Sequence, residues 1–267
     1  LSLRDEIQAE YNYSTPVRVG AGGGIGTPGA ALAAFMMGAA YIVTGSVNQA
    51  ALESGASEHT KKILAQADMA DVTMAPAGDM FEMGVKVQVL KRGTMFPMRA
   101  QKLYDIYVEN DSIDTIDPKE RERLEKTVLK RPMEEIWADT VSYFMERDPE
   151  QIQRAQDNPK RKMALIFRWY LGLSSRWSNV GEQGRELDYQ IWCGPAIGAF
   201  NQWTRGSCLE KPEHRDCVTV ALNLLVGAAV VTRANWLRMQ GLSLPAGIDR
   251  FTPQPISRLK DLLASAE

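Results

Sequence analysis

Residues 17–49, "VRVGAGGGIGTPGAALAAFMMGAAYIVTGSVNQ", decide how the rest of the chain is read. Residues 17–21 form a short apolar run that reads as a buried strand. Thr27 followed by Pro28 is a helix start, a capping hydroxyl and then proline in the first helical turn. The helix continues over residues 30–37 and Gly38 stops it. Residues 40–46 read as a second strand ending in Gly45 and Ser46. Strand, helix and strand within about 30 residues make a parallel βαβ unit. Between the first strand and the helix lie Gly22, Gly23, Gly24 and Gly26. They remove side chains that would keep an anion away from backbone N–H groups, and they permit positive φ. They also sit at a helix N-terminus, where free N–H groups and the macrodipole attract negative charge. The stretch therefore predicts a phosphate clamp, closed from the second strand by Gly45 and Ser46. Barrels of the (β/α)₈ type build such sites after strands seven and eight.

Other glycine motifs fit less well. The dinucleotide fingerprint G-x-G-x-x-G aligns Gly20 and Gly22 but meets Ile25 at the third glycine, and no acidic residue follows about 20 positions later. No P-loop lysine is present. Glycines serving only tight turns remain the plain alternative.

Composition narrows the classes. The 267 residues are 45% hydrophobic, enough for a sizeable core. A net charge of -2 and a pI near 5.9 give no general argument for nucleic acid or membrane binding. Cys193, Cys208 and Cys217 are odd in number and lack metal-ligand spacing, which fits reduced thiols in a cytoplasmic protein and no metal site. No uninterrupted apolar run reaches the ~18 residues of a membrane helix, and no signal peptide is recognisable. The chain opens at Leu1, already inside the helical pattern of residues 1–10, which reads as a truncated start.

Beyond Asn48 the strand–helix alternation stops. A helix starts near Ser57, residues 74–84 read as a loop, and residues 85–90 alternate as a short strand. Charged and aromatic helices follow, broken by Pro118, Pro132 and Pro149. All six tryptophans lie between Trp137 and Trp236. This shift places a boundary near residue 100, giving a β/α part (1–100), a helical part (101–240) and a loosely packed tail (241–267). The fold class expected is α/β plus α.

Together with residues 17–49, the stretches "ADVTMAPAGDMFEMGVKVQVLKRGTMFP" (70–97) and "NPKRKMALIFRWYLGLSSRWSNVGEQGRELDYQIWCGPAIGAFN" (158–201) resemble the PfaD-type enoyl reductases. These are trans-acting flavoenzymes of polyunsaturated fatty acid and polyketide synthesis. The resemblance covers roughly residues 1–240. It implies the last βα units of an FMN-binding TIM barrel followed by a helical substrate-side domain. It further implies FMN held at Gly22, Gly23, Gly24 and Ile25 with Gly45 and Ser46, NADPH as reductant, and an enoyl thioester on an acyl carrier protein as substrate. A homodimer is compatible with it. The family carries further strands and a catalytic histidine upstream, so the chain alone is expected to be incomplete and inactive, and no catalytic residue is assigned. His59 and His214 lie in polar stretches and read as surface residues.

Other features are open to two readings. Lys86, Lys91, Arg92, Arg99 and Lys102, and separately Lys160, Arg161, Lys162, Arg168 and Arg176, form acid-free basic runs that suit an acidic carrier or a paired surface equally. Six methionines between Met69 and Met98 suit an acyl pocket or ordinary core. Asp188 and Tyr189 precede a Gly-Pro turn similar to a substrate-facing family motif. The competing functions are a nitronate monooxygenase-like oxidase and a non-catalytic helical module that docks carrier domains.

Overall fold

A computed structural model describes residues 1–264 of the chain. The chain forms two compact units, Leu1–Asp71 with Cys193–Glu267, and Val72–Trp192. In chain order the first unit begins with α1 (Ser2–Tyr11), β1 (Ala21–Gly22), α2 (Pro28–Met36), β2 (Ile42–Val43), α3 (Ser46–Gln49) and α4 (Glu58–Ala65). The second unit holds β3 (Val72–Pro76), β4 (Lys86–Leu90), α5 (Phe96–Glu109), α6 (Pro118–Leu124), α7 (Met133–Arg147), α8 (Pro149–Gln156) and α9 (Pro159–Val180). The chain then returns to the first unit with α10 (Ala196–Thr204), α11 (Cys217–Met239) and α12 (Ile256–Ala264).

In the first unit β1 and β2 pair in parallel, Ala21 opposite Ile42 and Gly22 opposite Val43, joined through α2. The predicted βαβ unit is present, but the first strand is shorter than residues 17–21. Val17 is exposed and only two residues pair, because β2 is the sole neighbour of β1 among the described residues. The second strand also ends early: Gly45 caps α3 and Ser46 begins it, so Ser46 lies in a helical turn and not at a strand end. Thr27 caps α2, accepting from the Ala30 N–H at 3.3 Å, with Pro28 in the first turn as expected. Ile25, Ala31, Ala34 and Ala228 bury against one another and seat α11 along α2. A second cluster, Val47, Phe200, Leu209, Val220 and Leu224, joins α3, α10 and α11.

At 23 residues, α11 is long and apolar enough by composition to cross a membrane, the one such helix among the described residues. The run was masked in sequence by Thr219 and Asn223. Both are buried, and Asn223 turns inward to bond backbone groups of its own unit.

Of the tail expected to pack loosely, residues 241–250 are largely exposed, but the segment from Phe251 onward is docked. Trp203 Nε1 donates to the Phe251 carbonyl at 2.8 Å. Asn223 donates to the Gln254 carbonyl and accepts from the Gln254 N–H, at 2.9 and 2.7 Å. Pro253 is buried, and Leu259 of α12 is fully buried. The expectation for residues 265–267 lies outside the described residues.

The boundary expected near residue 100 falls instead at Asp71/Val72 and Trp192/Cys193. The cause is β3, whose residues 74–76 read in sequence as loop. It pairs antiparallel with β4 along its whole length, Val72 opposite Leu90 to Pro76 opposite Lys86. The hairpin packs on α5, and Leu90 N–H bonds the Ile191 carbonyl at 2.8 Å, so residues 72–97 join the helical unit. Phe81, Phe96, Leu103, Phe167 and Tyr170 are fully buried there. Each such side chain contributes roughly 1.5–3 kcal/mol.

Candidate functional site

The glycine loop leaves β1 at Gly22 and turns through Gly23 (φ +91°) and Gly24 (φ +72°). Residues with a Cβ avoid these angles. A Cβ built on either glycine would meet nothing within 4 Å, and residues 22–24 are exposed. The N–H groups of Gly24, Ile25 and Gly26 donate to no backbone acceptor among the described residues. The loop is thus an open backbone cradle ending at the N-terminus of α2. Ile25 faces inward as part of the core, so it offers its N–H and not its side chain.

Sequence reasoning missed the third wall. A Cβ on Gly26 would lie 2.3 Å from the Ala196 carbonyl oxygen, so the loop touches the start of α10 directly. The neighbouring Gly194 N–H donates to Ser46 Oγ at 2.8 Å. Ser46 therefore receives one hydrogen bond from the 194–196 turn and keeps its own O–H proton to donate. The 194–196 turn thus touches both the glycine loop, at Gly26, and the start of α3, at Ser46. The Gly-Pro dipeptide at 194–195 signalled a turn in sequence, but not that the turn would return to Ser46. Just before it, Cys193 is buried and its thiol is pushed up to about 12 by burial, then by the charge of Asp71, so it remains a neutral thiol.

Asp188 and Tyr189 do not face a substrate cleft. Both are fully buried in the second unit. Asp188 pairs with Arg99, accepts from Tyr170 Oη at 2.8 Å and from Arg185 Nη1 at 3.2 Å, and has Lys130 Nζ at 3.5 Å. Burial, and next the negative charge of Asp188, push the Tyr170 phenol up, so it stays a proton donor. Arg185 also bonds the carbonyls of Val128 and Leu129 and lies over the Trp177 ring at 4.3 Å. Tyr189 Oη donates to the Glu182 carbonyl. Every member of this hub has its partners within the protein, so the hub is a structural pin.

The other candidates divide. His59 is exposed, and so is His214, whose Nδ1 lies 3.1 Å from the Cys208 carbonyl. The basic runs are largely consumed internally: Arg99 by Asp188, Lys102 by Glu120, Arg168 by Glu82 and Lys160 by Asp111. Lys162 sits over the Trp137 ring. All six methionines from Met69 to Met98 are exposed, between 37% and 77%, which removes the core-filling reading. Met74 and Met98 line a cleft of about 660 Å³ in the second unit, together with Thr73, Lys91, Thr94 and Lys102. No group of three or more metal-ligating side chains occurs among the described residues.

Known proteins share much of this chain. Residues 110–189 match the family described as [Acyl-carrier-protein] S-malonyltransferase, inserted helical domain. The chain is 50% identical over 254 residues to a polyunsaturated fatty acid synthase polypeptide of Thraustochytrium sp. (strain ATCC 26185 / S-3), covering 92% of this chain and 12% of that protein. It is 47% identical to Polyketide biosynthesis protein PksE of Bacillus subtilis (strain 168), covering 92% of this chain and 31% of that protein. The enoyl reductase domain of MlnA, from the macrolactin biosynthesis cluster of Bacillus amyloliquefaciens, superposes with a TM-score of 0.81 at 38% identity, over 90% of this chain and 53% of that one. The chain thus spans less than a third of these curated relatives. It is homologous to a segment found in polyunsaturated fatty acid synthase and polyketide biosynthesis proteins, and its fold is that of about half of an enoyl reductase domain.

Proposed function

We propose that this chain is the flavin-phosphate-binding and helical part of an enoyl reductase, of PfaD type, that acts on carrier-bound enoyl thioesters in polyunsaturated fatty acid or polyketide synthesis. The observation that carries the proposal is the convergence of an open glycine cradle, the Ser46 hydroxyl and the Gly194–Ala196 turn. The cradle fits a phosphate monoester. Its two exposed glycines adopt positive φ with empty space where side chains would stand, and its N–H groups lack backbone acceptors. Gly23, Gly24 and Ile25 would hold the FMN phosphate through backbone N–H groups, with the Ser46 hydroxyl donating from the opposite side. FMN held there would supply hydride chemistry for reducing a carrier-bound enoyl thioester, with NADPH as the source of the electrons and a proton completing the reduction at the α-carbon. Within the chain, Gly26 keeps the loop pressed on the α10 turn, and Gly194 fixes the Ser46 rotamer. The TIM-barrel setting of these loops is part of the same proposal, supported by the parallel β1–α2–β2 unit and the MlnA likeness.

The test is an assay of the protein that carries this chain with crotonyl thioester on a carrier protein and NADPH, beside an assay with nitroalkane and oxygen. Reduction of the crotonyl group, lost in Gly24→Asp, supports the proposal. Nitroalkane oxidation alone would assign an oxidase instead. The match of residues 110–189 to an inserted helical domain favours one second reading, a carrier-docking module without chemistry. That reading requires carrier binding that persists in Gly24→Asp with no reductase activity in the parent protein.

A further inference from the structure

We propose that the cleft along α5 in the second unit seats the arm of an acyl carrier, with Lys91 taking its phosphodiester at one end and the amide-rich chain lying toward Lys102. The inference rests on the function proposed above, since only a carrier-bound substrate brings such an arm. The cleft has about 660 Å³ and is walled by Thr73 and Met74 of β3 and by one face of α5. Met98, Gln101 and Asp105 recur on that face every three to four residues, and Thr94 lines the cleft just ahead of the helix. From Pro97 to Asp105 the helix advances about 12 Å, at about 1.5 Å per residue. A cleft of that length suits an extended chain better than a compact ring.

Its charge is uneven. Lys91 is exposed and has no ion-pair or hydrogen-bond partner among the described residues. It stands at the N-terminal end of α5, where the helix dipole adds positive potential. At the other end Lys102 is neutralised by Glu120 at 2.9 Å, and Asp105 accepts from Gln101 Nε2 at 2.8 Å. A free cation at one end and the Asp105 carboxylate toward the other favour a ligand with one terminal anion and an uncharged body that can donate hydrogen bonds. Met74 and Met98, 49% and 66% exposed, offer thioethers along the middle, and Thr73 and Gln101 offer hydrogen-bonding groups for amides.

The probes are phosphopantetheine and pantetheine, which differ by the phosphate alone, titrated into the 267-residue chain labelled at methionine methyls and followed by NMR. Shifts concentrated at Met74 and Met98, affinity at least about tenfold higher for the phosphorylated probe, and loss of that preference in Lys91→Glu are expected. Equal affinity for both probes, shifts confined to other methionines, or concentration-dependent shifts without probe (a second copy in the cleft) would each overturn it. In the parent protein, the KM for crotonyl-phosphopantetheine relative to crotonyl-N-acetylcysteamine should rise about tenfold in Lys91→Glu. An unchanged ratio sinks the cleft assignment alone. Absence of reduction with either substrate sinks the functional proposal, while the NMR titration still decides the cleft.

Discussion

The two units treat polar groups in opposite ways. In the second unit Asp188 is fully buried and its carboxylate is surrounded by Arg99, Tyr170, Arg185 and Lys130. In the first unit the Gly22–Gly26 loop leaves backbone N–H groups without backbone acceptors, and open space beside Gly23 and Gly24. A satisfied buried network rigidifies a fold, whereas unsatisfied donors on a fixed loop prepare a site for a ligand. The basic runs, open in sequence to carrier docking or to internal pairing, are mostly paired within the helical unit, and the glycines expected to clamp an anion are the ones left open.

That contrast breaks first at Asp188. Asp188→Ala leaves three cations and a phenol around a vacated acceptor, which should cost about 3–5 kcal/mol and lower the urea midpoint accordingly. A loss below about 1 kcal/mol would show the hub to be dispensable. The next largest effect is expected at Gly26→Ala, where the new Cβ meets the Ala196 carbonyl and must push the loop from the α10 turn. Destabilisation of about 1–3 kcal/mol should appear by thermal melting. Asn223→Ala removes both hydrogen bonds to Gln254 and should cost about 1–3 kcal/mol, with the tail beyond Phe251 becoming sensitive to protease. A protease-resistant tail in that variant would contradict its docking through Asn223.

An effect of similar size appears only under alkaline conditions. The folded Cys193 thiol holds its proton up to about 12, whereas an unfolded thiol ionises near ~8.5. The folded state therefore binds the proton more tightly. Its contribution is complete below pH ~8.5 and declines toward pH 12, by up to about 1.4 kcal/mol per pH unit. Cys193→Ala should flatten that slope in chemical denaturation between pH 8.5 and 10. An unchanged slope would mean the thiol is not protected.

Much of the first unit was legible because local signals and tertiary structure agree there. Thr27-Pro28 capped α2 and Ser57 capped α4 as written, and two of the four loop glycines, Gly23 and Gly24, fell where the backbone takes positive φ. What escaped was non-local. Residues 74–76 look like loop until residues 86–88 pair with them, so the unit boundary moved from residue 100 to Asp71. The tail looked loose because its anchors, Trp203 and Asn223, lie 48 and 31 residues upstream. Arg99 could be read as a docking cation only until Asp188, 89 residues later, claimed it. In the candidate site the two loops were readable from glycine spacing, and the third wall was not, since no local pattern ties Gly194 to Ser46, 148 positions away.

The central claim is that the glycine cradle binds a phosphate of FMN. Titrating FMN and riboflavin, which lacks the phosphate, into the protein that carries this chain and into its Gly24→Asp variant while following flavin fluorescence tests it most directly. The account predicts tighter binding of FMN than riboflavin by at least about tenfold, with that preference lost in Gly24→Asp. Equal binding of the two flavins, binding of neither, or a preference that survives Gly24→Asp would contradict it.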